Sequence, residues 1–140
     1  MLASGLPDTV DDREELARFL TQSNQFNTIM IKPSAFLPNP KDHETSVSRH
    51  GKEPLTRLWE IGLAVAGTRN LYGAAIFKAS DVRNAKLEIV ADEPPARHAI
   101  IKGWPWFESD LELQKAKQKE LAALLASAAG PPQLRQSSSL

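Results

Sequence analysis

Apolar residues recur at helical spacing in three segments of the chain. The first predicted helix covers residues 10–21. The second begins at Pro54, a residue suited to a first helical turn, and ends before Gly67. The third covers residues 110–128, and the Ser-Asp-Leu-Glu run at 109–112 predicts a capping box at its start. Three helices are therefore expected.

Shorter segments rich in apolar and β-branched residues, bounded by Pro, Gly or Asn, are typical of strands. The predicted strands are residues 28–31, 45–50, 73–79, 86–90 and 97–102. Strict alternation of strand and helix is absent, which argues against a doubly wound dinucleotide-binding fold. The pattern predicts the α+β class, with a small mixed β-sheet of about four to five strands packed by three helices.

The end of the chain lacks a core-forming pattern. Gly130, Pro131 and Pro132 should end the third helix, and polar residues dominate from there to Leu140. A chain of 140 residues fits one domain of ordinary size. We therefore predict a single α+β domain over residues 1–129 and a disordered C-terminal tail over residues 130–140.

Composition excludes several classes of function. The chain has no cysteine, so disulfides and thiolate metal sites are impossible. The 17 basic and 17 acidic residues argue against coating of nucleic acid by bulk charge, although a local basic patch stays possible. Residues 1–10 lack the features of a signal peptide, and no apolar run approaches the roughly 20 residues that cross a bilayer. We expect a cytoplasmic protein without a membrane partner.

The run from Arg97 to Trp106 joins two cations, a histidine and two tryptophans. Arg97 offers a planar fork for phosphate or carboxylate, His98 can move a proton near neutral pH, and Trp104 can stack on a ring. The alternative is that Trp104 and Trp106 fix the strand-to-helix turn onto the core, with Arg97 a solvated strand end.

A second candidate segment surrounds Arg49 and His50. Alternation along a strand places Arg49 on the same face as Val47, which we expect to point inward. A covered arginine needs a partner, which is either an acidic side chain or a bound anion. The sequence leaves both alternatives open.

Motifs for metals, nucleotides and nucleophilic catalysis are absent. There is no HExxH, Walker loop, GxGxxG or GxSxG. Folding could gather His43, Glu44, His50 and His98, but their spacing matches no closed zinc site. Ser46 or Ser48 could form a triad with His98 and Asp92, although almost any sequence permits such a construction. We expect no metal and no cofactor.

Several phrases of the chain resemble one family of small bacterial α+β proteins. They are Phe36-Leu37-Pro38, Ser46-Val47-Ser48-Arg49, Leu58-Trp59-Glu60-Ile61-Gly62, Leu71-Tyr72-Gly73-Ala74-Ala75, Lys78-Ala79-Ser80-Asp81-Val82, and Arg97-His98-Ala99-Ile100 with Gly103-Trp104-Pro105. The resemblance covers roughly residues 16–128 and implies a bacterial origin and a single domain. It also implies an arginine after Gly73, where this chain has Ala74. It implies no particular activity.

The hypothesis we favour is a binding or interaction module for an anionic, phosphate-bearing ligand, a nucleotide or a partner protein. Arg49, Arg97 and His98 would form one anion site, with Tyr72 or Trp104 as a wall and His50 nearby.

The rival hypothesis is an enzyme acting on a nucleotide or nucleic acid. In an ADP-ribosyltransferase-like version, Arg49 holds the cofactor and Glu88 or Glu93 supplies the acid. In an RNA-cleaving version, His50 and His98 act as base and acid.

Overall fold

A computed structural model of the chain describes residues 2–135. The strands are β1 (Glu15–Leu20), β2 (Thr45–Arg49), β3 (Gly73–Lys78), β4 (Glu88–Ala91), β5 (His98–Lys102) and β6 (Gln133–Leu134). The α-helices are α1 (Leu55–Ala66), α2 (Ala79–Asn84) and α3 (Leu111–Ala129), and short 3-10 turns lie at Ser23–Gln25 and Pro33–Ala35. The six strands form one sheet in the order β4-β5-β2-β1-β3-β6.

The predicted α+β class and the number of helices are confirmed, but only α1 and α3 correspond to predicted helices. The details of the sheet also differ. The sheet has six strands instead of four to five. It is also antiparallel at every pairing rather than mixed. The predicted strands at 45–50, 73–79, 86–90 and 97–102 correspond to β2, β3, β4 and β5.

The helix predicted over residues 10–21 is wrong, because Glu15–Leu20 form β1. β1 lies between β2 and β3 and is covered on both faces. Leu16 and Leu20 point into one apolar cluster, whereas Ala17 and Phe19 point into the other. A strand that is buried on both faces loses its alternation of apolar and polar residues, so its apolar positions matched helical spacing.

The strand predicted at residues 28–31 is also wrong. Only Ile31 pairs, in an isolated bridge with Phe26. The side-chain oxygen of Asn27 accepts hydrogen bonds from the amides of Ile29 (2.8 Å) and Met30 (2.9 Å). This side chain organises a local turn that competes with an extended strand.

Each face of the sheet carries its own cover. α3 and the Pro33–Ala35 turn lie over the face that includes Leu16, and α1 lies over the face that includes Phe19. Gly62 lies at a close approach of α1 to the sheet. A Cβ atom at Gly62 would lie 2.7 Å from a ring carbon of Phe19 and 2.9 Å from a methyl carbon of Leu71. α1 therefore packs closely against β1.

α3 begins and ends within a residue of its predicted bounds, but its cap and buried face differ. Asp110 caps the helix by accepting from the amide of Leu113 at 3.0 Å, so the cap is not Ser109. The buried positions are Gln118, Ala122, Leu125 and Ala126. Helical periodicity over residues 110–128 favours Leu113 and Leu124 on the apolar face, but they are 42% and 54% exposed.

The predicted disordered tail contains a short strand. Within residues 130–140, Gln133–Leu134 form β6, which pairs with the start of β3. The amide of Arg135 then donates to the carbonyl of Tyr72 at 2.8 Å. The rest of the predicted tail, residues 136–140, lies outside the described residues.

No helix within residues 2–135 is long and apolar enough to span a bilayer.

Candidate functional site

Arg49 is an internal crosslink. Its side chain is fully buried, and its guanidinium donates to Glu14 at 2.5 and 2.7 Å. The remaining donors reach the carbonyls of Pro7 (2.6 Å) and Thr9 (3.3 Å). The hydrogen bonds to Glu14 raise the pKa of Arg49. A covered Arg49 was expected to have either an acidic side chain or a bound anion as its partner. In the structure its partner is the acidic side chain of Glu14.

Arg97 is engaged by protein acceptors as well. Its guanidinium pairs with Glu53 at 2.9 Å and donates to the carbonyls of Arg49 (3.0 Å) and His50 (3.3 Å). Its backbone φ is 67°, in the left-handed region, so β5 begins one residue later than predicted, at His98. Arg97 therefore holds the turn before β5 against the end of β2.

His50 is buried next to the end of β2. Its Nε2 atom lies 4.0 Å from a carboxylate oxygen of Glu15, and its Nδ1 atom has no hydrogen-bond partner within residues 2–135. Burial lowers the pKa of His50, against a smaller opposing effect of Glu15 and Glu53.

This environment predicts a pH dependence of stability. Because the folded pKa of His50 lies below its unfolded value of about 6.5, the unfolded chain takes up the proton first as pH falls. We expect the free energy of unfolding to decrease as pH falls below about 6.5, and His50→Leu to remove part of that decrease. Urea denaturation at several pH values between about 7.5 and 5.5 measures this effect. His43→Leu is the control, and equal slopes for both variants would contradict the prediction.

Tyr72 and Trp104 do not border an anion site with Arg49. The Tyr72 ring packs on Phe26 with ring centroids 5.7 Å apart. Trp104 is buried, and its indole nitrogen donates to the carbonyl of Ile101 at 3.2 Å. Trp106 was expected to share the role of fixing the turn, but it is 54% exposed and lies against the ring of His43.

The predicted anion site of Arg49, Arg97 and His98 is therefore not assembled. Both arginines are engaged by carboxylates and carbonyls, whereas His98 lines the cavity described next. The acids considered for the transferase version are also unsuited. Glu88 is exposed at the start of β4, and Glu93 accepts from Ser4 and from the amide of Arg97.

A cavity of about 620 Å³ opens between α1, the sheet and the loop at 37–40. It lies where β1 and β2 separate, because their pairing ends at Ala17 and Ser48 while β1 stays paired with β3 as far as Leu20. The polar side chains that line it are Arg18, Thr21, Asn39, Glu44, Thr45, Ser46, Ser48, Arg69 and His98. Of these, only His98 was among the predicted site residues.

Arg18 occupies the opening between β1 and β2. Its Nε atom donates to the carbonyl of Ala35 and its Nη1 atom to the carbonyl of Ser46, each at 2.8 Å. Within residues 2–135 no carboxylate pairs with Arg18, and Nη2 makes no hydrogen bond to protein. Burial, and secondarily the nearby Arg69, lower the pKa of Arg18 to about 10. This half-buried cation lacks a compensating negative charge.

Arg69 contributes a second cation at the end of α1. It donates to the carbonyls of Ala66 (3.1 Å) and Val65 (2.9 Å), which the helix leaves without intrahelical partners. Its remaining amino group, Nη1, has no hydrogen bond within the described part of the chain. Glu44 is the one acidic side chain among the described residues that line the cavity, and it forms no ion pair with either arginine.

His98 lies on the opposite side of the cavity and is held by Asp92. Its Nδ1 atom is 2.9 Å from the backbone carbonyl oxygen of Asp92 and 3.1 Å from a carboxylate oxygen of the same residue. Ser48 lies directly opposite His98 in the β2–β5 pairing. Among residues 2–135 no hydrogen bond joins the ring to Ser46 or Ser48, so the triad considered from the sequence is not formed.

The cavity brings together side chains of the types that hydrogen-bond to anions in proteins. Arg18 and Arg69 supply positive charge, and the hydroxyls of Ser46 and Ser48 form no side-chain hydrogen bond within the described range. In residues 2–135 no three His, Asp or Glu side chains converge as metal ligands. Arg18 was not among the candidates from the sequence, because residues 10–21 were predicted to form a helix. If residues 15–20 had been predicted as a buried strand, a charged residue between Leu16 and Leu20 would have indicated a candidate site.

Searches of protein-family models, curated proteins and solved structures find no match to this chain, and the resemblance to a bacterial family stays a prediction.

Proposed function

We propose that the protein is a binding module for a small anionic ligand, whose phosphate or carboxylate group is held by Arg18 in the cavity between α1 and the sheet. The observation that carries the proposal is the half-buried guanidinium of Arg18, which has carbonyl partners but no carboxylate partner within residues 2–135. The ligand class is the one expected from the sequence, but the proposed site is at Arg18 instead of Arg49 and Arg97.

The energetics favour an anion at this position. A cation that is withdrawn from water without a counter-charge costs several kcal/mol, by order of magnitude. Neutral carbonyls offset only part of that cost, as the lowered pKa of Arg18 indicates. A bound anion would supply the missing charge and accept from the unbonded Nη2 amino group.

The size and walls of the cavity favour a small molecule. Ligand pockets usually enclose about 300–1,000 Å³, and this one encloses about 620 Å³. Phe19, Leu37 and Val65 provide apolar walls beside the cations. Apolar walls around a few placed polar groups are typical of sites that bind an organic anion rather than a bare ion.

The test is a thermal-shift panel of inorganic phosphate, nucleotides, NAD, citrate and sugar phosphates on the wild type and Arg18→Gln. A ligand at about 100 times its dissociation constant adds about 2.7 kcal/mol, which raises the midpoint by roughly 5–10 °C. We expect a rise in the wild type and none in Arg18→Gln. Arg13→Gln, at an exposed arginine, is the control and keeps the rise. Equal rises in Arg18→Gln and the wild type would refute the site.

The geometry does not favour either enzyme version over binding. The transferase version requires an accessible Arg49, which is fully buried against Glu14. The RNA-cleaving version requires two accessible histidines, but His50 is buried and does not line the cavity.

A further inference from the structure

The contacts of His98 fix the proton on its ring. Both neighbours of Nδ1, the backbone carbonyl oxygen and the carboxylate oxygen of Asp92, are acceptors. Nδ1 must therefore carry a hydrogen, and in the neutral ring Nε2 is left with a lone pair. Within residues 2–135 Nε2 has no hydrogen-bond partner, although the side chain is only 20% exposed and lines the cavity.

The cavity thus contains an unpartnered acceptor as well as unpartnered donors. Arg18 and Arg69 can only donate, whereas the neutral ring of His98 can only accept at Nε2. A carboxylate or a fully ionised phosphate ester has no hydrogen to give to this nitrogen. A ligand that satisfies both sides of the cavity needs a negatively charged group and, separately, a hydrogen-bond donor.

The sheet sets the distance between these two groups. Arg18 binds the carbonyl of Ser46, and His98 lies opposite Ser48. These serines are two residues apart along β2, which is about 7 Å along the strand, and β1 and β5 lie on opposite sides of β2, which adds an offset across the sheet. A phosphate and a hydroxyl on the same small carbon skeleton can span that separation.

We propose, resting on the function proposed above, that the ligand is a hydroxylated phosphate ester of the sugar phosphate class. Its phosphate accepts from Nη2 of Arg18, and one of its hydroxyls donates to Nε2 of His98. A phosphate fits better than a carboxylate because it has three non-bridging oxygens for the unbonded donors of Arg18, Arg69 and the two serines.

The experiment compares the affinities of ribose 5-phosphate and n-pentyl phosphate, which has five carbons and no hydroxyl, by isothermal titration calorimetry. The proteins are the wild type, His98→Leu, His98→Gln and the control His43→Leu. We expect the wild type to prefer ribose 5-phosphate. His98→Leu should bind ribose 5-phosphate about tenfold more weakly while keeping its affinity for n-pentyl phosphate. His98→Gln, whose side-chain oxygen can accept, should recover part of the preference.

The other outcomes separate this inference from the proposed function. Equal weakening of both phosphates in His98→Leu would mean that the ring acts as a cation, which overturns the hydroxyl contact. The same preference in His98→Leu and the wild type would also overturn it. In both cases, a loss of binding in Arg18→Gln would still support the proposed anion site at Arg18. Binding of citrate but of neither phosphate ester would overturn the ligand class alone, and no binding of any anion would overturn both proposals.

Discussion

Glu14→Gln lowers the free energy of unfolding by about 3–5 kcal/mol, the usual result of removing one partner from a buried ion pair. Arg49 is fully buried, and Glu14 is its carboxylate partner, with two hydrogen bonds of 2.5 and 2.7 Å. A glutamine at this position keeps the shape but leaves the guanidinium charge without compensation. Urea denaturation measures the loss as a lower midpoint at an unchanged slope.

Two further variants test whether burial is the cause. Glu60→Gln removes one partner of the exposed pair with Arg57 and should change stability by less than about 1 kcal/mol. The double variant Glu14→Gln/Arg49→Met removes both charges and should recover part of the loss, because neither charge is then left buried alone. A Glu14→Gln protein within about 1 kcal/mol of the wild type would contradict the prediction.

Phe36→Ala has the second large effect, a loss of about 3–5 kcal/mol in the free energy of unfolding. The Phe36 ring is fully buried and meets the Phe77 ring edge to face, with centroids 5.2 Å apart. The carbonyl of Phe36 also accepts from the Thr45 hydroxyl at 2.8 Å. Truncation would leave a cavity between the sheet and the segment that follows the Pro33–Ala35 turn.

Phe107→Ala is the matched control, because the same atoms are removed from a side chain that is 36% exposed. We expect it to cost about 1 kcal/mol or less. Thermal or urea unfolding of both variants gives the comparison. Equal losses for Phe36→Ala and Phe107→Ala would show that the Phe36 ring is not part of a closely packed core.

Elements with a clear local period could be predicted from the sequence. α1 has one apolar stripe between Pro54 and Gly67, and buried Leu87 and Ile89 alternate with exposed residues over residues 86–90, at the start of β4. β1 could not be identified in this way, because neighbours on both faces bury it and those neighbours are remote in the chain. β6 has only two residues, too few for any period, and it depends on the edge of β3.

The candidate site was harder to predict than the fold for a related reason. The covered state of Arg49 followed from alternation along β2, but its partner Glu14 lies 35 positions away in a segment that was predicted as a helix. The importance of Arg18 depends on the separation of β1 and β2, which is a tertiary feature. His98, which lines the cavity, could be named as a candidate from the sequence because it lies on a strand with a clear pattern and beside other polar residues.

The pairing of β6 with β3 has a consequence for self-association. Without β6, the start of β3 would be an open edge, and exposed strand edges are templates on which other chains add strands. A Cβ atom at Gly73 would lie 2.4 Å from the backbone oxygen of Gln133, so the bare backbone of a glycine is what admits β6 at this position. The chain thus uses two of its own residues to occupy hydrogen-bonding positions that a second molecule could otherwise use in aggregation.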